Sequence, residues 1–165
     1  MMVEMGMDLG GKDKIITHRF MEHDFYFYPT PMAPALIAEI FGDNYKVIES
    51  KIEFSPGDVI LDLGANEGMF SIFMSKLFPQ TRIISLEPVP RTYHQLMRNI
   101  GLNGCTNITP CMYGVGRYNE NKVMYVGKDH HSGGSSSYLT HNPDWQDAIP
   151  VEIRILDEVW DLHKL

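Results

Sequence analysis

Between residues 58 and 112 the chain alternates short continuous apolar runs with stretches that place an apolar residue every third or fourth position. Residues 58–63 (DVILDL) and 82–86 (RIISL) are of the first kind, rich in β-branched types and bounded by turn formers, as buried strands are. Residues 69–78 (MFSIFMSKLF) are apolar round most of a helical circumference, which suits a helix pressed against a sheet, and Pro79 ends it. Over 90–103, Tyr93, Leu96, Met97 and Ile100 fall at i, i+3, i+4 and i+7, one face of a helix, with Gly104 where a left-handed terminal residue belongs. Residues 107–112 (NITPCM) read as a third, weaker strand whose Pro110 marks an edge or a bulge. Strand, turn, helix, strand, helix, strand in that order requires parallel strands with right-handed crossovers, half of a doubly wound α/β sheet.

The flanks are less regular. Residues 14–28 (KIITHRFMEHDFYFY) are β-branched and aromatic and predict one or two strands, in the second case a hairpin about Glu22-His23-Asp24. The proline cluster over 29–34 breaks the chain, and a short helix over 35–41 stops at Gly42. Residues 46–54 are moderately strand-like, and Ser55-Pro56-Gly57 turns the chain. Further on, 122–126 (KVMYV) predicts a strand and 130–137 (HHSGGSSS) a flexible loop. Val151, Ile153 and Ile155 alternate with Glu152 and Arg154 as in a half-exposed strand. Asp157 is placed to cap a final helix with Leu156, Val159 and Trp160 on one face. No internal repeat or interdomain linker interrupts the chain. Residues 1–45 read as an N-terminal extension of strands and a short helix, and 46–165 as the α/β domain.

Charge narrows the partners. The chain has 165 residues, 14 Lys+Arg against 21 Asp+Glu, and a formal net charge of −7. No basic run offsets that balance, so nucleic acid and anionic membrane are not expected partners. The N-terminus lacks the apolar region of a signal peptide, and no stretch reaches the roughly 18 apolar residues of a membrane span, which predicts a cytoplasmic protein. Cys105 and Cys111 read as reduced thiols, and neither they nor the histidines show ligand spacing, so no metal site is assigned.

The chemistry gathers at the carboxyl ends of the predicted parallel strands. The turn Gly64-Ala65-Asn66-Glu67-Gly68 joins the first strand to its helix, with glycines where backbone must approach a ligand or a helix must start close to a strand. Glu87 ends the second strand 25 residues after Asp62, where an acid can accept hydrogen bonds from both hydroxyls of a ribose. Met112-Tyr113-Gly114 ends the third, in position to flank an adenine. Together these features describe a nucleoside-containing ligand. The glycine spacing is G-x-x-x-G rather than the dinucleotide G-x-G-x-x-G, and Glu67 repels a pyrophosphate while tolerating a sulfonium. S-adenosylmethionine is therefore favoured over NAD. The blander readings are a first-turn acid at Glu67 complementing the helix dipole, a helix cap at Asn66, solvated histidines at His130-His131, and core filling by Tyr113.

The run from Pro56 through Asp62-Leu63-Gly64-Ala65-Asn66-Glu67-Gly68, then Phe70-Ser71, Leu86-Glu87-Pro88 and residues 99–104 (NIGLNG), resembles the FkbM-type methyltransferases. The likeness covers roughly 56–165. It implies a Rossmann-like class I methyltransferase sheet, S-adenosylmethionine as cofactor, and O-methylation of a hydroxyl on a sugar or other secondary metabolite. Asp62, Gly64, Asn66 and Gly68 would line the methionine end and Glu87 would hold the ribose; Ala65, Pro88 and Met112 complete the expected cofactor set. The family's K-x-D-x-E-G strand follows the last helix seen here, so a sheet without its C-terminal half is expected, with strand 58–63 left as an edge open to self-association. The competing readings are an NAD-linked oxidoreductase and a non-catalytic remnant of the fold.

Overall fold

The computed structural model describes residues 14–42, 48, 51–127 and 145–163. Its centre follows from the apolar runs. Strands β3 (Val59–Leu63), β4 (Arg82–Leu86) and β5 (Ile108–Cys111) form a parallel sheet in the order β3-β4-β5, with Leu63 level with Leu86 and Leu86 with Cys111. Pro110 sits opposite Ser85 on edge strand β5, where its missing N–H costs least. Among the described residues the other edge, that of β3, is unpaired.

Two antiparallel strands, β1 (Ile16–Phe20) and β2 (His23–Phe27), precede this sheet. Their turn begins at Met21, in the left-handed region at φ 51°, slightly earlier than the sequence predicts. Helix α1 (Ala33–Ile40) also begins early, because Pro34 stands in the first turn, where a proline needs no hydrogen-bond partner. Helices α2 (Met69–Leu77) and α3 (Pro90–Asn103) connect the parallel strands, and Gly104 closes α3 at φ 64°. Beyond them β6 (Gly114–Gly116), β7 (Glu120–Gly127) and β8 (Trp145–Ile155) form a second sheet in the order β6-β8-β7, followed by α4 (Leu156–His163).

Neighbouring residues of a strand point to opposite faces, and β4 uses both. Ile83 enters a core shared by Phe25, Phe27, Ile37, Phe41, Phe73 and Leu96, so the hairpin and α1 pack into the same interior as α2 and α3. Phe41 centres this cluster, 4.7 Å from the ring of Phe25 and 5.4 Å from that of Phe73. Ile84 and Leu86 enter a smaller core with Cys111, Tyr113 and Val159.

Several expectations are corrected. The described residues within 46–54 form no strand; Ile52 N–H donates to the Ile48 carbonyl at 3.1 Å, a helical turn that satisfies the backbone locally. Met97 is exposed while Leu96 and Ile100 are buried, because α3 buries a narrower stripe than its sequence offers. On α4 only Val159 is buried; Leu156 and Trp160 are exposed, and Asp157 lies inside the first turn rather than at a cap. The loop expected over 130–137 lies outside the described residues.

Candidate functional site

The parallel register brings the end of β3 and the end of β4 side by side, and the turn after β3 folds across β4. Gly64 N–H and Ala65 N–H both donate to the Leu86 carbonyl, each at 2.9 Å. Asn66 N–H donates to Glu87 Oε2 at 3.0 Å, and Glu87 Oε1 accepts from Val89 N–H at 2.9 Å. Gly68 N–H closes the turn onto the Ala65 carbonyl at 2.8 Å. Of the turn's amides, those of residues 64, 65, 66 and 68 are thus committed internally.

The two glycines do different work. Gly64, at φ 82°, has nothing within 4 Å of the position a Cβ would take, so its side faces open space. Gly68, at φ 83°, is the residue on which α2 starts, and a Cβ there would run into the Leu96 side chain of α3. Asn66 between them holds φ 52°, a conformation that asparagine tolerates better than most residues. Its side-chain Oδ1 is buried with no hydrogen-bond partner among the described residues.

Three buried carboxylates surround the turn. Asp62 Oδ2 accepts from Ser71 Oγ at 2.5 Å, and Ser71 Oγ lies 2.6 Å from Ser85 Oγ, linking β3, α2 and β4 below the turn. Burial pushes the Asp62 carboxyl up, and the Ser71 bonds pull it partly back. Glu87 is pushed up mainly by burial and a little by the charge of Asp62, against the two backbone bonds that favour its ionised form. Glu67 accepts from Thr30 Oγ1 at 2.7 Å and is likewise raised by burial. Glu67 is enclosed by the segment that leads into α1. Asn99 of α3 reinforces this closure, donating to the Glu67 carbonyl at 2.8 Å and accepting from Tyr28 N–H at 3.1 Å.

A cavity of about 380 Å³ opens above the turn. Asp62, Gly64, Ala65 and Asn66 line one side of it; Leu36, Glu39 and Ile40 of α1 line another. The other residues of the expected cofactor set lie outside the lining of this cavity. Gly68 serves helix packing. Glu87 is buried at the end of β4 and accepts from the amides of Asn66 and Val89. Pro88 lies against Gly114, and Met112 is exposed beyond β5 outside the cavity lining. Tyr113 points into the smaller core, where its hydroxyl lies 2.9 Å from His163 Nε2, so its ring does not flank the site. The α1 residues are absent from the sequence-based set. Their signal is an acid, Glu39, flanked at helical spacing by Leu36 and Ile40 on a stripe that would otherwise be apolar.

No protein-family model matches the chain. It is 33% identical over 99 residues to Methyltransferase 1 of Beauveria bassiana, covering 57% of this chain and 38% of that protein. It is 48% identical over 71 residues to Methyltransferase sdnD of Sordaria araneosa, covering 43% of this chain and 26% of that protein. It is 37% identical over 67 residues to 31-O-demethyl-FK506 methyltransferase FkbM of Streptomyces tacrolimicus, covering 41% and 25%. The chain thus matches well under half the length of each of these relatives.

Proposed function

We propose that this chain forms the cofactor-binding part of an FkbM-type, S-adenosylmethionine-dependent methyltransferase that methylates a hydroxyl on a sugar or other secondary metabolite. One observation supports this most strongly: four of the turn's amides are bonded within the protein, and carboxylates line the cavity beside it. A pyrophosphate needs free N–H groups at such a turn, and those of Gly64, Ala65, Asn66 and Gly68 are already bonded. What lines the cavity instead is Asn66 together with the acidic residues Asp62, Glu67 and Glu39. That surface suits a ligand with positive charge and N–H donors, as the methionine end of S-adenosylmethionine is, and it disfavours NAD.

The residues present fit that cofactor. Asp62, Gly64, Ala65 and Asn66 would hold the methionine end. Glu87 would hold the ribose, because each oxygen that accepts a backbone N–H keeps acceptor capacity for a hydroxyl. Pro88 and Met112 would bound the adenine. When bound, the cofactor supplies a methyl group activated by the sulfonium. The chain's own contribution is positioning: Leu36 and Ile40 exclude water, the bonded turn fixes the floor, and the Asp62–Ser71–Ser85 network keeps it rigid. A hydroxyl acceptor is supported by the O-methylation written in the name of the FkbM relative. No helix among the described residues is long and apolar enough to cross a membrane, and the two free cysteines suit a reducing, cytoplasmic compartment.

Calorimetric titration with S-adenosylhomocysteine, beside fluorescence titration with NADH, tests the reading. Binding of the first and not the second is expected, with several-fold weaker binding by Glu87→Ala. NADH binding without S-adenosylhomocysteine binding would overturn it.

A further inference from the structure

We propose that Glu39, on α1 and outside the parallel sheet, grips the α-ammonium group of the cofactor's methionine end and so makes α1 a specificity-determining wall. The assignment rests on the cofactor reading above.

Helix α1 presents two stripes. Ala33, Ile37 and Ile40 are buried in the core, while Leu36 and Glu39 join Ile40 on the cavity side. An acid between two aliphatic residues at i, i+3, i+4 spacing has no role in core packing. Of the three carboxylates on the cavity wall, two are already served by hydroxyl donors: Asp62 by Ser71 and Glu67 by Thr30. Glu39 makes no hydrogen bond or ion pair with a described residue, and its side chain is exposed at the cavity mouth. No Lys, Arg or His is among the described residues that line the cavity, so its potential is negative and draws a cation. A primary ammonium carries three donors that must all find acceptors. Asp62 and Asn66 line the cavity from the turn, and Glu39 offers a charged acceptor from α1. The Thr30–Glu67 bond holds the start of α1 against the turn, so this second wall is fixed in place.

Calorimetry on the 165-residue chain and its Glu39→Gln variant would use three ligands: S-adenosylmethionine, S-adenosylhomocysteine and 5′-methylthioadenosine. The first two carry the ammonium; the third lacks the amino-acid part. For a partly solvated charge pair, Glu39→Gln is expected to weaken the first two by about three- to tenfold and to leave the third unchanged. Equal affinity of both proteins for S-adenosylmethionine would overturn the assignment. So would an equal loss for 5′-methylthioadenosine, or a loss confined to S-adenosylmethionine, which would place Glu39 at the sulfonium instead. A wild-type chain that binds none of the three refutes the cofactor reading, and this assignment with it. Matching circular dichroism of the two proteins checks that the exposed substitution leaves the fold intact.

Discussion

Replacing Glu87 by Gln probes the brace beneath the turn with almost no change in shape. The carboxylate accepts Asn66 N–H at 3.0 Å through Oε2 and Val89 N–H at 2.9 Å through Oε1. An amide keeps one of these bonds and turns an NH₂ toward the other donor. One hydrogen bond to a charged acceptor is lost and one backbone N–H is left unpaired in a region where Glu87 is only 7% exposed. That loss costs about 1.5–3 kcal/mol. Against it, the neutral amide escapes the burial that pushes the Glu87 carboxyl up, so the lower part of the range, about 2 kcal/mol, is expected. Urea unfolding reads the global change. Hydrogen exchange reads the local one: the amides of Asn66 and Val89 should exchange faster, by about 30-fold if the 2 kcal/mol is felt locally. The amides of Gly64 and Ala65, which bond to the Leu86 carbonyl, should change less. Unchanged exchange at Asn66 and Val89, with stability altered by less than about 0.5 kcal/mol, would show that the turn does not depend on this carboxylate.

Gly68→Ala should destabilise the chain by about 2–4 kcal/mol, the sum of left-handed strain and overlap with Leu96; denaturant unfolding in a Leu96→Ala background should show a smaller increment, and an equal one would contradict the packing role. Asp62, Glu67 and Glu87 all have raised carboxyl pKa values from burial. The native state therefore binds more protons than the unfolded chain, and the stability these groups lend is full below the ordinary carboxylate range near pH 4 and falls as pH rises through the raised values. Glu67→Gln should make that fall shallower in unfolding measured from pH 4 to 8, and an unaltered slope would count against its burial. The edge of β3, unpaired among the described residues and with Leu63 54% exposed, should pair chains at high concentration; sedimentation should show association that Leu63→Lys reduces, and a wild-type chain monomeric at all concentrations would exclude it.

The sequence by itself determined the β3-α2-β4-α3-β5 run almost to the residue, because strand and helix periods, Pro79 and Gly104 act over a few neighbouring positions. It also marked the turn and Glu87, whose spacing follows from one βαβ unit. Tertiary structure alone decided what those residues do. Asn66 and Glu87 meet across 21 residues, and Thr30 and Glu67 across 37. The same long-range packing brings α1 to the cavity, sends Tyr113 to the opposite face and sets Gly68 against Leu96. No local period encodes such pairings. They arise when the hairpin and α1 bury their aromatic face on α2 and α3, and that packing decides which donors are spent and which acceptors remain to meet a ligand.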